Sequence, residues 1–363
     1  MLVDLIDRAK ESIHLQVYIY ENDETGMLVT HALMRAAQRG VKVYLLLDGY
    51  ASRSLSSDTI IMIREADIYF RWFEPLFKTR NFYIGRRMHH KIFVADKLYS
   101  LTGGINIGDR YNDMPDEPAW LDWAAYVEGE ASAELYNRCV QVWSKGKKQV
   151  THSPERTLFN DASDCFVRVR INDWVRNRNQ VSRSYIEMLQ RATSHITIVS
   201  SYFMPGRVFR KHLRMAAKRG VRIRIVLTQV SDVPMAKWAE RIFYAWLLKW
   251  NIEIYEYRKN ILHGKMSTYD GHWVTVGSFN FNDLSAYASM ELNLDIHNIP
   301  FTHQVNLALE EMIRQDCDPI TEETFTRRTH FWNRVGYLFA YKFFRLCLFL
   351  FTFYLKQDKV KAS

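Results

Sequence analysis

The sequence predicts an α/β protein made of two duplicated halves that pack face to face around one shared site, followed by an amphipathic helical tail. Three observations carry this prediction. A helix, glycine and strand passage occurs twice, a short motif holding a histidine, a lysine and an aspartate occurs twice, and positive charge collects at the C-terminus. With 363 residues and 48% hydrophobic content the chain can bury the core that two halves require, which excludes a disordered chain.

The elements follow in order. "RAKESIHLQVYIY" at 8–20 reads as the end of a helix and a buried strand, and "RATSHITIVSSYF" at 191–203 repeats it. "ALMRAAQRGVKVYLLLDG" at 32–49 reads as an amphipathic helix closed by Gly40 and followed by an apolar strand. "HLRMAAKRGVRIRIVLTQ" at 212–229 repeats that passage around Gly220. Helices alternating with strands on this scale predict a sheet in each half. The second half also carries a strand at 165–171 and a helix at 179–194 before its repeat, whereas the first half begins partway through the equivalent helix at Met1. The first sheet is therefore expected to lack an edge strand, or the chain start to be truncated. The expected divisions are 1–155, 156–325 and a tail at 326–363.

Charge and cysteines narrow the function classes. Residues 327–363 hold eight lysines and arginines against Asp358 alone, a charge of +7 that leaves +2 of the total +9 on the body. A nucleic-acid enzyme spreads its basic residues along a groove, whereas a membrane-surface protein concentrates them beside an apolar anchor. The four cysteines, Cys139, Cys165, Cys317 and Cys347, form no CxxC pair or framework and read as reduced thiols. The N-terminus shows no secretory pattern, so a cytoplasmic compartment is the default.

The chemistry lies in "HHKIFVADKLYSLTGGIN" at 89–106 and "HGKMSTYDGHWVTVGSFN" at 263–280. Both read HxKxxxxD, with a glycine 14 and an asparagine 17 residues after the first histidine. Residues two apart on a strand share a face, so His89 projects with Lys91 and His263 with Lys265. His90 points the other way, so the adjacent histidines are not expected to share a site. No HExxH or cysteine-rich cluster offers a metal centre, and neither metal nor other cofactor is expected. Lysine neutralises nonbridging phosphate oxygens, imidazole acts as nucleophile or as acid and base, and an asparagine amide donates a further hydrogen bond. Two half-sites thus suit phosphodiester exchange, one imidazole attacking phosphorus and the other handling the proton. The spacing does not decide which histidine attacks.

These motifs, with "AAQRGVKVYLLLDGY", "RRMHHKIFVAD", "YEYRKNILHGK" and "WVTVGSFNFNDLSAYASMELN", resemble the phospholipase D superfamily, and within it the bacterial cardiolipin synthases of the B type, over nearly all of the chain. The resemblance implies two phospholipase D-like α/β sandwich halves and a phosphatidyltransferase. It assigns His89 as nucleophile, His263 as acid and base, Lys91, Lys265, Asn106 and Asn280 as phosphate ligands, and Asp122 and Glu291 as the acids that orient the histidines. Asp96 and Asp270 complete the catalytic motif, although their odd offsets turn them away and suit a structural role.

The substrate is read from the aromatic stretches. "IYFRWFEPLFKTRNFYIGRR" at 68–87 mixes aromatic with basic residues, which suits acyl chains beside phosphates and equally suits stacking on single-stranded bases. "MAKWAERIFYAWLLKW" at 235–250 reads as an amphipathic helix. "YLFAYKFFRLCLFLFTFYL" at 337–355 approaches the length of a bilayer span, but Lys342 and Arg345 interrupt it on one helical face. A helix lying in the interface against anionic lipid is the expectation. The expected partners are phospholipids, phosphatidylglycerol and also phosphatidylethanolamine, at the cytoplasmic side of the membrane, with no nucleic acid. Transfer to water or to a small alcohol uses the same residues, as does a metal-independent nuclease; a catalytically idle membrane binder is disfavoured because both motifs are intact.

Overall fold

Each half forms its own sheet. The computed structural model describes residues 1–74, 86–145, 165–173, 176, 178–282, 285–286, 289–330, 332–343 and 345–346. The first sheet holds β1 (Ser12–Val17), β2 (Lys42–Asp48), β3 (Tyr69–Phe73), β4 (Lys91–Ala95), β5 (Tyr99–Gly103) and β6 (Ala124–Glu128), in the order β3-β2-β1-β4-β5-β6. Strands β1 to β3 pair in parallel and the remainder antiparallel.

The second sheet holds β7 (Phe166–Asp173), β8 (Arg178–Asn179), β9 (His195–Ser200), β10 (Arg222–Thr228), β11 (Glu253–Tyr257), β12 (Met266–Tyr269), β13 (Trp273–Gly277), β14 (Glu291–His297) and β15 (Cys317–Ile320). Its order is β15-β11-β10-β9-β12-β13-β14-β7-β8, so the run from β11 to β14 repeats the first sheet strand for strand. Strand β7 pairs antiparallel with β14. Among the described residues the first sheet ends at β6 with no such neighbour, the edge strand that the duplication was expected to lack.

The repeated helices show why the same words of sequence give the same local structure. Helix Glu24–Gln38 buries Val29, Leu33 and Ala36, and helix Arg207–Lys218 buries Phe209, Leu213 and Ala216, each a stripe at helical spacing. Both end on a glycine at φ +86° with no atom near a built Cβ, so backbone conformation rather than space requires Gly40 and Gly220. A side chain there costs about 1 kcal/mol. The Val41 and Val221 amides then bond back to Ala36 O at 3.1 Å and Ala216 O at 3.2 Å, which turns the chain into β2 and β10.

Period-two alternation divides the core. On β4, Phe93 and Ala95 pack with Leu15, Leu33 and Leu45 beneath the helices of the first half. Ile92 and Val94 face the other way, into a cluster with Val169, Met266, Val276 and Leu292 of the second half. Strands β5 and β6 lie against β13 and β14, so one hydrophobic layer joins the two sheets.

Two expectations change in detail. The helix expected over 235–250 is two, Pro234–Arg241 and Tyr244–Lys249. The break turns the Tyr244 hydroxyl onto buried Glu256 at 2.8 Å and Lys237 at 2.7 Å. The tail helix starts earlier than 337, at residue 332, and 347–363 lie outside the described residues, as do 75–85 of the aromatic stretch.

Candidate active site

The two motifs meet because the halves are stitched together beside each histidine. Met88 forms a parallel bridge with Met290, and Leu262 forms one with Leu121. The His89 amide donates to Met290 O at 3.0 Å and the His263 amide to Leu121 O at 2.8 Å. Each motif histidine is therefore registered against the residue that precedes the acid of the opposite half.

That register sets the side chains. His89 Nδ1 lies 2.9 Å from a carboxylate oxygen of Glu291, which is fully buried. His263 Nδ1 lies 2.6 Å from Asp122 Oδ2. With Nδ1–H given to a carboxylate, each ring keeps Nε2 free for chemistry. Tyr18 sits edge-on to His89 at 4.9 Å, and Tyr111 edge-on to His263 at 5.4 Å.

The acids are anchored differently. Gly104 is required by close approach, since a Cβ there would meet Asp122 Oδ1 at 2.3 Å. Asp122 takes its second bond from the Trp123 amide at 2.7 Å. At the equivalent position of the second motif stands Ser278, whose hydroxyl donates to Glu291 Oε2 at 2.5 Å. Gly264, after His263, lets the Trp123 ring come so close that a Cβ would meet it at 2.1 Å.

Lys91 Nζ donates to His89 O at 2.5 Å, and Lys265 Nζ donates to His263 O. Asn106 accepts from the Ile19 amide at 3.0 Å, and its buried side chain is a hydrogen-bonding neighbour of the Tyr111 phenol. Asn280 Oδ1 is buried without a partner. Amide and ammonium N–H groups buried in the site can donate to an anion, to which Asn280 contributes only with its amide turned, since its oxygen accepts.

Burial dominates the electrostatics. It lowers Lys91 to about 7, with the charge of Lys265 adding to the effect, and lowers Lys265 to about 8 against the pull of Asp122 and Glu291. Burial also lowers His263 to about 4, assisted by Lys265 and opposed by Asp122, and it lowers His89, opposed by Glu291. Burial pushes Asp122 up, but Lys265 and His263 outweigh it and hold the carboxyl below its ordinary value. Burial thus opposes the crowding of positive charge in the site, and a phosphate anion there would favour the charged forms.

Asp96 and Asp270 do not join the catalytic group. They lie at the far strand ends, where Asp96 accepts from the amides of Lys10, Glu11 and Ser12 at 2.8 to 3.0 Å. Asp270 does the same for Thr193, Ser194 and His195 at 2.7 to 2.9 Å. Each carboxylate fastens the loop leading into the first central strand of its half, a placement that suits the structural role. His90 faces away from His89, with Nε2 3.0 Å from Gln16 Oε1. Among the described residues no group of three or more histidines, cysteines or carboxylates is placed to hold a metal.

Sequence reasoning passed over Tyr18, Tyr111, Ser278 and Asp48. Asp48 Oδ2 accepts the Met88 amide at 2.9 Å, and its duplicate Thr228 accepts the Leu262 amide through Oγ1 at 3.1 Å. The signal for this pair was available, because "LLLDG" and "IVLTQ" align in the repeated passage.

Comparison with known proteins gives the family. The family described as cardiolipin synthase, PLD-like domain, matches residues 2–142 and 185–313. Cardiolipin synthase B of Escherichia coli strain K12 is 34% identical over 348 residues, covering 94% of this chain and 83% of that protein. Cardiolipin synthase of Oceanobacillus iheyensis is 26% identical over 347 residues, covering 95% and 71%. Among solved structures, phosphatidylserine synthase of Haemophilus influenzae superposes with a TM-score of 0.73 over 99% of this chain and 91% of that one, at 14% identity, a likeness of fold.

Proposed function

This chain belongs to the cardiolipin synthase, phospholipase D-like family, and on that premise we propose that it transfers a phosphatidyl group from phosphatidylglycerol to the hydroxyl of a second phospholipid. The observation that carries the proposal is the crossed pairing of each motif histidine with the acid of the opposite half. His89 Nε2 attacks phosphorus, the bond from phosphorus to the glycerol oxygen breaks, and His263, carrying a proton on Nε2 once the anionic phosphate offsets the burial and the Lys265 charge that lower its pKa, gives that oxygen the proton. The acceptor hydroxyl then gives its proton to His263 and attacks phosphorus, and the bond to His89 breaks. Glycerol and cardiolipin leave, and both rings regain their starting states.

The assignment of His89 as nucleophile follows the family resemblance and is supported by its greater exposure, 16% of the side chain against 8% for His263. Lys91 and Lys265 neutralise the nonbridging oxygens, and Asn106 Nδ2, buried beside Tyr111, supplies a further donor. Asn280 can present either end of its amide by a half-turn about its terminal torsion.

Association is peripheral in this reading. No helix among the described residues is long and apolar enough to cross a membrane. The helical stretch 332–343 turns Tyr337 and Ala340 into the body and leaves Leu338 and Phe339 exposed, with Lys342 on the outer side. Its basic composition suits the anionic cytoplasmic leaflet. The 2-unit charge of the body makes a nucleic-acid groove the weaker reading.

The test is product analysis of the purified protein in mixed micelles with phosphatidylglycerol alone, and then with phosphatidylethanolamine added. Cardiolipin that is lost on His89→Ala is the expected result. Phosphatidic acid as sole product makes the protein a hydrolase, and no lipid product where DNA is cut makes it a nuclease.

A further inference from the structure

A chain of hydrogen bonds leads from His263 to an exposed apolar surface. Ser201 donates to His263 O at 2.6 Å, and the next residue, Tyr202, donates its hydroxyl to Asp232 at 2.5 Å. Asp232 is close enough to Lys265 to raise the affinity of that amine for its proton. The segment around Asp232 therefore borders the catalytic centre. On either side of it Val230 is 60% exposed and Val233 38%, and Met235 and Trp238 continue the exposed face along helix Pro234–Arg241.

This face runs into the tail. Trp238 sits edge-on to Tyr337 at 6.1 Å, and a Cβ on Gly336 would come 2.9 Å from its ring. Opposite the face that docks on the body, the tail helix exposes Val335, Leu338, Phe339, Phe343 and Leu346. Arg334, Lys342 and Arg345 are exposed along one flank of that stripe. A helix whose inner side is packed on protein has no further use for an apolar outer side in water.

We propose that residues 230–238 and the outer face of 332–343 form one docking surface for an anionic lipid bilayer, which sets the Asp232 side of the catalytic centre against the membrane. The occupant is chosen by charge and form: an apolar stripe with a cationic flank matches acyl chains beneath anionic head groups. Docking here lets a phospholipid enter from its leaflet without crossing water. The proposal rests on the lipid reading of the site, but its test reads binding and not turnover.

Binding of the full chain to vesicles of phosphatidylglycerol and phosphatidylcholine is measured by co-sedimentation for Val230→Asp, Met235→Asp and Phe339→Asp. Leu307→Asp, on helix Ile299–Asp316 and 57% exposed before substitution, is the control. The expected result is roughly tenfold weaker partition for each of the first three and no change for the control. Hydrogen exchange of the unsubstituted chain should slow over 230–238 when vesicles are added. Unchanged partition in Val230→Asp and Met235→Asp, with no protection of 230–238, overturns the proposal and leaves the transferase reading to its own product analysis. A change in association state in place of vesicle binding assigns the surface to a second copy of the chain and overturns it equally.

Discussion

The two half-sites share a backbone and differ in charge. In both, a residue two places before the motif lysine is a histidine pinned by an acid of the opposite half, and in both the preceding amide is held by a side chain at the end of the second parallel strand. In the first half that side chain is the buried carboxylate of Asp48, which also meets Arg87 at 3.3 Å. In the second it is the neutral hydroxyl of Thr228. The acids differ too, Glu291 leaning on Ser278 and Asp122 on the Trp123 backbone. The two halves keep the same hydrogen-bond geometry while their electrostatics differ, which suits the proposed division between one nucleophile and one proton carrier.

The largest effect should come from removing either ring. His89→Ala and His263→Ala are expected to lower transfer by about 10³-fold or more with an unchanged melting temperature, since each abolishes one chemical role. Near-normal transfer by either folded variant would break the comparison at its root.

The orienting acids come next. Glu291→Gln and Asp122→Asn keep size and lose charge, and each should reduce kcat by roughly 10²- to 10⁴-fold, because the ring loses its tautomer and the support of its imidazolium form. Ser278→Ala should act through Glu291 and through the Leu292 amide that Ser278 Oγ accepts at 3.1 Å, and cost about tenfold. Steady-state kinetics on the three variants shows whether the halves respond alike.

The pH profile sharpens the contrast. A lysine is charged below its pKa, so with Lys91 lowered to about 7 and Lys265 to about 8, kcat/KM should fall as pH rises through that range. A bound phosphate favours the charged amines, so the limb in kcat should lie at higher pH. Asp48 helps hold the Lys91 proton. Asp48→Asn should therefore move the alkaline limb of kcat/KM to lower pH, while Thr228→Val, which changes no charge, should leave it in place.

The smallest effect on turnover is expected at the motif aspartates. Asp96→Asn and Asp270→Asn should each lower stability by about 1–3 kcal/mol in urea unfolding, through lost amide bonds, with kcat of the folded protein retained. A selective loss of kcat without destabilisation would return them to the catalytic group.

Much of this was legible in the chain. The repeated glycines marked where helices turn into strands, and strand parity separated His89 and Lys91 from His90 and from Asp96. The crossed dyads were not legible from spacing, because Glu291 lies 202 residues from His89 and meets it only through the seam between halves; the resemblance named the acids without their partners. Tyr18 and Tyr111 carry no local signal, since an aromatic beside a ring is a product of tertiary packing. Asp48 was readable in principle, from its alignment with Thr228.

The most direct test of the division of labour is to locate the phosphoryl group during turnover. The protein is mixed briefly with phosphatidylglycerol labelled at phosphorus, quenched in alkali to preserve phosphohistidine, and mapped by peptide. Label on His89 that rises early and falls as labelled cardiolipin accumulates is the predicted result. Label on His263 instead, or cardiolipin formed with no labelled histidine at any quench time, contradicts the account.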